Sequence, residues 1–541
     1  MKPFDASGAF RPAAEGSSGL RLLAVRGAGV TVFSQGVLCA VQMIATVVLA
    51  RLLTPADFGV VTMVTTFSLL FMNFGLNGFT EAILQREEID HALTSNLFWI
   101  NLGAGLLLTI AFASAGSLLA GFYHDPRVAR VAVGISVTIF ITSTSVQHLA
   151  LLKRAMRFSV VSANDVLARA VSVAASILLG WAGWGYWALV AGAITQSLAM
   201  SIGAWSLCRW VPGLPRRGVS TATTVRFAMN TYGRFVMDYC TRNLDNLLVG
   251  WRFGPQALGF YKKAYDLFAL SANQLSAPLT GVAVSTLSRL TNDSAQHRRY
   301  LLRALSTLAF VGMGLGAGLT LIGKDLIRVL LGPGWEESGR IFTFLGPGIG
   351  IMLLYYTHGW IHLSIGRADR WLRWAVVEFT VTGLLFVAGL HWGPAGIAVA
   401  WVVSFWILAI PALWYAGRPA RLGMAPVIEA VWKYVAASAL AGCASAAIVR
   451  GIPSLAVASG SMEAIVRIVV VSVLFGALYL CAVILLHRGC APLSQVAGLL
   501  RDMVPWGRFS RSSPGVATTP WQQHERGAHP NQGKAQPAPR T

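Results

Sequence analysis

RFAMNTYGRFVMDYCTRNLDNLLVGWRFG, residues 226–254, is long and apolar enough to cross a bilayer, yet it carries Arg234, Asp238, Arg242 and Asp245 at spacings of four, four and three. A helix of 3.6 residues per turn sets all four on one face, with Thr241 and Arg252 beside them. One ionised side chain at the bilayer centre costs on the order of 2.5–3.5 kcal/mol, so four of them facing lipid cost about 10 kcal/mol. The stripe must therefore face a polar cavity or a neighbouring helix, and the alternation of Arg with Asp allows pairs one turn apart that moderate the cost. A water-filled central cavity is the simpler host. The bland alternatives are a salt-bridged helix pair serving only insertion and packing, or a segment lying partly at the membrane interface. In a cavity, arginine suits a cargo that carries phosphate, since guanidinium presents planar paired donors to phosphate oxygens. An aspartate beside it is placed to take a proton or cation.

The rest of the chain has the composition such a helix needs around it. Of 541 residues, 55% are hydrophobic and 12% charged, against roughly a quarter charged in ordinary soluble proteins. The net charge of +21 does not make a nucleic-acid binder, because Lys and Arg punctuate long apolar runs rather than gathering on one solvated face. The six cysteines lack CxxC pairing or metal-ligand spacing with histidine and read as small apolar residues. Residues 1–26 form a polar N-terminal segment whose following apolar stretch is too long for a cleaved signal peptide. The tail 507–541, rich in Pro, Gly, Gln and Arg, is expected to be disordered.

Apolar stretches of about 20 residues recur near 27–50, 59–80, 95–121, 128–152, 160–182, 186–208, 225–252, 257–287, 302–331, 340–365, 371–391, 394–416, 427–450 and 464–487. The connectors are too short to hold a folded domain, so the function lies within or across the bilayer. Arg and Lys concentrate in alternate connectors, including Lys153, Arg154 and Arg157, then Arg209, Arg216 and Arg217, then Arg298, Arg299 and Arg303, then Arg367, Arg370 and Arg373. By the retention of positive charge on the cytoplasmic side, both termini are expected there.

The chain repeats itself at an interval of roughly 200 to 213 residues. RLLTPADFG ending at Gly59 matches WRFGPQALG ending at Gly259. HLALLKRAMRF from His148 matches HLSIGRADRW from His362, aligning Arg154 with Arg367 and Arg157 with Arg370, and GWGYWALV near Gly183 answers GPAGIAVA near Gly393. Six spans per unit is an even number, so both halves enter from the same side, which is the parallel form of a transporter repeat. The fold expected is an all-α polytopic membrane protein of about fourteen transmembrane helices. It has two six-helix lobes, 27–210 and 225–417, joined by a linker at 211–224, with two extra C-terminal helices in 427–487. Further cavity or coupling candidates are Glu378, a lone intramembrane carboxylate, the pair Asp165 and Arg169 one turn apart, and His148. His358 reads as a helix-end polar group, and Lys262, Lys263 and Asp266 are expected at the outer interface.

ARLLTPADFG from Ala50, ILQREEIDHALTSNLFWIN from Ile83, QHLALLKRAMRF from Gln147, GYWALVAG from Gly185, RNLDNLLVG from Arg242, ALGFYKKAYDL from Ala257 and GWIHLSIGRADRWLRW from Gly359 occur in this order across residues 27–417. This ordered set resembles the polysaccharide-transport flippases of the Wzx type, within the multidrug, oligosaccharidyl-lipid and polysaccharide exporter group. The resemblance implies a bundle opening alternately to each side of the bacterial inner membrane. It implies a cargo of oligosaccharide linked to undecaprenyl diphosphate, passed on to a polysaccharide polymerase and co-polymerase. The positions it matches to cationic cavity residues are Arg234, Arg242 and Arg252. A cation-coupled multidrug exporter of the same group is the alternative, and an arginine-bearing stripe argues against its organic-cation cargo. No carboxylate pair, nucleophile motif or metal cluster points to an enzyme or to a cofactor.

Overall fold

The computed structural model describes residues 3–5, 7–10, 17–86, 88–217, 221–291, 293–420, 422–452, 460–495 and 498, so the expected disordered tail lies outside it. The described chain is helical: α1 Ser17–Leu52, α2 Pro55–Gln85, α3 His91–Ser114, α4 Gly116–Tyr123, α5 Arg127–Ser143, α6 Val146–Arg154, α7 Phe158–Trp181, α8 Tyr186–Cys208, α9 Ala222–Arg289, α10 Ser294–Leu331, α11 Glu336–Leu345, α12 Gly348–Ser364, α13 Ala368–Gly389, α14 Gly393–Gly417, α15 Met424–Gly451 and α16 Ser461–His487. These helices belong to one unit, Met1–Gly489; a second, beginning at Cys490, has a short turn in which the Ser494 amide donates to the Cys490 carbonyl.

Nine helices of the described residues are long and apolar enough to cross a membrane, or twelve if each of three bent pairs is one pass. The expected fourteen is not reached by that measure. Two stretches account for the difference, each counted once: 222–289, which leaves helical geometry at Gly254 (φ 81°, ψ −177°), and 369–417, which breaks before Gly393 (φ 73°). α13 and α14, the two arms of the second stretch, pack against each other. Helix α1 begins at Ser17, its candidate membrane span Gly29–Leu52 lies close to the expected 27–50, and described residues before it pack on the bundle. The His91 amide donates to the Gly8 carbonyl at 2.9 Å, and Phe4 meets the rings of His91 and Trp210.

The internal repeat is visible in the backbone. Each copy contains a bent pair, α5 with α6 at 41° and α11 with α12 at 50°. Each then passes through one left-handed residue, Met156 (φ 55°) or Gly366 (φ 67°), into the next helix at Arg157 or Arg367. This equates Arg157 with Arg367 and corrects the expected pairing of Arg157 with Arg370 and of Arg154 with Arg367 by three residues. The turn geometry fixes the register, whereas the sequence match rested on arginines that fall on either side of the turn.

The Pro-x-x-x-Gly strings of the two copies meet each other. A Cβ built on Gly59 would lie 1.7 Å from the Pro255 carbonyl oxygen, and one on Gly259 would lie 1.8 Å from the Pro55 carbonyl oxygen. The contact is reciprocal, as a two-fold relation between copies requires. Only glycine permits backbones this close. α2 starts here because Thr54 caps it: its hydroxyl accepts from the Asp57 amide while the Asp57 carboxylate takes the Thr54 amide at 2.9 Å, with Pro55 in the first turn. Asp57 also accepts the Tyr186 amide at 3.1 Å, tying the start of α8 to the same end. Across the copies, the Trp335 indole donates to the Ala50 carbonyl at 2.9 Å and Arg51 to that of Val329 at 2.8 Å. The bundle is thus closed at the Pro55 end.

α15 and α16 lie outside the repeat and dock on α10. Arg467 of α16 donates two hydrogen bonds to the buried Asp325 of α10, Tyr479 donates to the Phe310 carbonyl at 2.7 Å, and the Tyr434 and Ser306 hydroxyls pair at 3.0 Å.

Candidate functional site

The charged stripe of α9 is divided by depth. Nearest the middle, Arg242 donates through Nε to Asp238 at 3.1 Å and through Nη1 to the Tyr356 hydroxyl of α12 at 3.2 Å, with its guanidinium 5.5 Å from the Tyr356 ring centre. The side chain of Arg242 is 48% accessible and that of Asp238 64%. Arg242 thereby bridges α9 and α12 while remaining accessible. At these two positions the stripe is accessible, and Arg242 meets a hydroxyl of a neighbouring helix.

One turn towards the Pro55 end the stripe is dry. Asp245 is 0% exposed and accepts three hydrogen bonds, from the Tyr261 hydroxyl at 2.8 Å, the Trp401 indole at 2.9 Å and the Asn246 amide at 2.7 Å. Its expected place in the open substrate path is therefore corrected. The second arm of α9 and the ring of Trp401 from α14 cover it, and a buried carboxylate is retained because every partner is a donor. Glu378 of α13 lies near Tyr355, Arg242 and Asp238. Tyr355 in turn accepts from the Trp374 indole at 2.9 Å.

The other candidates lie elsewhere. Arg252 sits two residues from the break at Gly254, exposed and 5.9 Å from the Phe253 ring, at the Pro55 end rather than in the middle. The side chain of Arg234 lies outside the described residues. His148 is fully buried, stacked on Trp205 at 4.1 Å with Nε2 3.1 Å from the Trp210 carbonyl, and so is core packing rather than cavity lining. Asp165 and Arg169 are within electrostatic reach but form no salt bridge, and the expected local ion pair is not made. Nor is Lys263 at an interface. It is 8% exposed with Nζ 3.9 Å over the Phe58 ring, while Lys262 pairs with Asp266 at 2.8 Å.

Sequence reading missed the aromatic hydroxyls and the indole that complete the site: Tyr355, Tyr356, Tyr261 and Trp401. The available signal was the pair Tyr355 and Tyr356 in an otherwise apolar span two residues before His358. Among the described residues no group of three His, Cys, Asp or Glu side chains is arranged to hold a metal ion.

Two repeated helical copies in tight glycine contact, with an accessible arginine bridging two helices, belong to a helical chain with nine to twelve candidate membrane spans among the described residues. The chain belongs to the polysaccharide biosynthesis protein family, whose pattern its residues 48–340 match. It is 25% identical over 335 residues to the teichuronic acid biosynthesis protein TuaB of Bacillus subtilis, covering 60% of this chain and 68% of that protein. It is 21% identical over 332 residues to the lipopolysaccharide biosynthesis protein WzxC of Escherichia coli, with 60% and 67% covered. Its fold is similar to that of the lipid II flippase MurJ in an inward closed conformation, with a TM-score of 0.68 and 13% identity over 86% of this chain and 99% of that one.

Proposed function

We propose that this protein moves a lipid-linked oligosaccharide across the bacterial inner membrane, for assembly of an exopolysaccharide, capsule or O-antigen, by exposing one interior site to each side in turn. The observation that carries the proposal is Arg242: accessible on a helix that packs in the bundle, bridging α9 and α12, and held by Asp238 and Tyr356 with N–H groups to spare. A guanidinium in that setting recognises a diphosphate through paired charge-assisted hydrogen bonds. The head group occupies the wet interior while the polyprenyl chain stays in lipid, so no charge crosses hydrocarbon unaccompanied. The membership in a polysaccharide biosynthesis family and the likeness to WzxC and TuaB support this reading. Both termini and the arginine-rich connectors face the cytoplasm, by the distribution of Lys and Arg. The lobes are 27–210 and 225–417, and the flipped unit passes to a polymerase and co-polymerase. The chemistry belongs to those partners; this chain moves its cargo unchanged.

Cells lacking the protein are expected to lose a surface polysaccharide while lipid-linked repeat units remain facing the cytoplasm. Restoring wild type corrects the defect; Arg242→Ala and Asp238→Asn, at equal protein level in the membrane, do not. Intact polymer in the deletion strain sinks the function. Full correction by both variants removes Arg242 as the cargo site. A multidrug exporter with the same architecture would instead confer resistance to organic cations, and an efflux assay in the same strains separates the two.

A further inference from the structure

Helix α12 is buried at every position from Gly348 to His362 except one, and that one is Tyr356. The exception falls where Arg242 of α9 reaches α12. Five N–H groups radiate from a guanidinium. In Arg242, Nε–H is taken by the two oxygens of Asp238 at 3.1 and 3.3 Å, and one N–H of Nη1 by the Tyr356 oxygen at 3.2 Å. Three N–H groups remain, one on Nη1 and two on Nη2, and they include the end-on fork that fits two oxygens of one oxyanion. The phenolic oxygen of Tyr356 is the acceptor in its bond to Arg242, so its own O–H stays available to donate. Tyr355 next to it differs, since it is buried and accepts from the Trp374 indole.

We propose that Tyr356 is part of the cargo anion site and not only a wall residue: its O–H and the free fork of Arg242 together bind one diphosphate group, with donors from α9 and α12. Tyr356 does two things there. Its ring and oxygen fix the guanidinium plane, and its proton supplies a donor that arginine alone lacks at that angle. Asp238 holds the Nε edge of Arg242, which leaves the fork unengaged for the cargo. The ligand class is a prenyl diphosphate. A monophosphate offers fewer oxygens to the donors, and a neutral prenol offers none that needs them. The inference rests on the flippase reading for the identity of the cargo, but the site can be tested without transport.

The test uses the full-length protein in nanodiscs with farnesyl diphosphate as probe and farnesyl monophosphate and farnesol as comparators, read by thermal shift and equilibrium binding. Wild type is expected to prefer the diphosphate. Tyr356→Phe keeps the ring and fold and loses one hydrogen bond to a charged group, so its diphosphate affinity falls about tenfold to a hundredfold with farnesol binding unchanged. In a flipping assay with a polyprenyl diphosphate-linked sugar, the same variant shows a raised KM with kcat less affected, because a donor that contacts the head group is lost. Loss of kcat alone would indicate a structural role and count against the assignment. If Tyr356→Phe binds the diphosphate like wild type while Arg242→Ala does not, Tyr356 is no part of the site and the flippase reading stands. If diphosphate, monophosphate and farnesol bind wild type alike, the anion site itself is refuted. If binding behaves as expected but wild type flips nothing, the site survives and the transport function fails.

Discussion

Replacing Gly59 or Gly259 by alanine is expected to pry open the Pro55 end of the bundle. The added methyl group would lie 1.7 or 1.8 Å from a proline carbonyl oxygen, where ordinary contact begins near 3.4 Å, so the backbones must part by about 1.6–1.7 Å. A carbonyl cannot rotate away as a flexible side chain does. Overpacking of this kind costs about 1–3 kcal/mol per site. Both glycines are helical, and alanine gains roughly 1 kcal/mol of helix propensity, but that gain is the same whether the ends are together or apart and cancels between the two states. The closed form therefore loses population relative to the parted form by a factor of about five to a hundred for each variant. Spin labels on Trp184→Cys and Trp392→Cys, exposed residues at the matching turns before α8 and α14, report the separation in a background without native cysteine. Wild type gives a population at short distance; Gly59→Ala, Gly259→Ala and most strongly the pair shift it outward. Gly281→Ala, whose Cβ would meet nothing within 4 Å, leaves it unchanged. An unaltered distance distribution in the double variant refutes the reasoning.

Three further outcomes follow from buried polar groups. Asp245→Ala leaves the Tyr261 hydroxyl and Trp401 indole without an acceptor, so it lowers thermal stability by about 1–3 kcal/mol for each donor stranded; a melting curve within error of wild type contradicts this. Arg467→Met strands the 5% exposed Asp325 and is expected to loosen α16 from α10 by about 3–5 kcal/mol. Hydrogen exchange across α16 reads that, and the double variant with Asp325→Leu restores protection. Between α4 and α5, Arg127 at 2.7 Å holds the Asp125 carboxyl below its usual 3.8, chiefly by hydrogen bonding. A depressed folded-state value contributes stability above the unfolded value that is lost as pH falls through the folded one. The acid-induced loss below about pH 4 should thus be smaller in Asp125→Asn, as measured by melting temperature against pH.

How much of this was legible in the chain differs from residue to residue. The polar stripe was readable because the helical period is fixed, and Asp238 and Arg242 do meet one turn apart. Asp245 lies on the same face by that arithmetic, yet it is dry, because periodicity gives an angle about the helix axis and says nothing of what covers each level. The repeat was readable at Gly59 and Gly259, where the spacing to proline is kept. It slipped by three residues at Arg157, because side-chain identity was matched where backbone handedness at Met156 and Gly366 sets the register. Tyr356 was passed over, since a tyrosine in an apolar span reads as core until a partner from another helix is seen beside it.

Composition and the spacing of apolar runs determined by themselves that this is a helical membrane protein, for runs of about 20 apolar residues are the length a helix, and not a barrel strand, needs to cross lipid with its backbone satisfied. Charge placement determined that one helix must be enclosed. Which charges stay wet, which glycines meet across the copies, and which tyrosine stands beside Arg242 were decided only by tertiary packing. Those contacts join residues up to about two hundred positions apart, and a one-dimensional pattern carries no distance between helices.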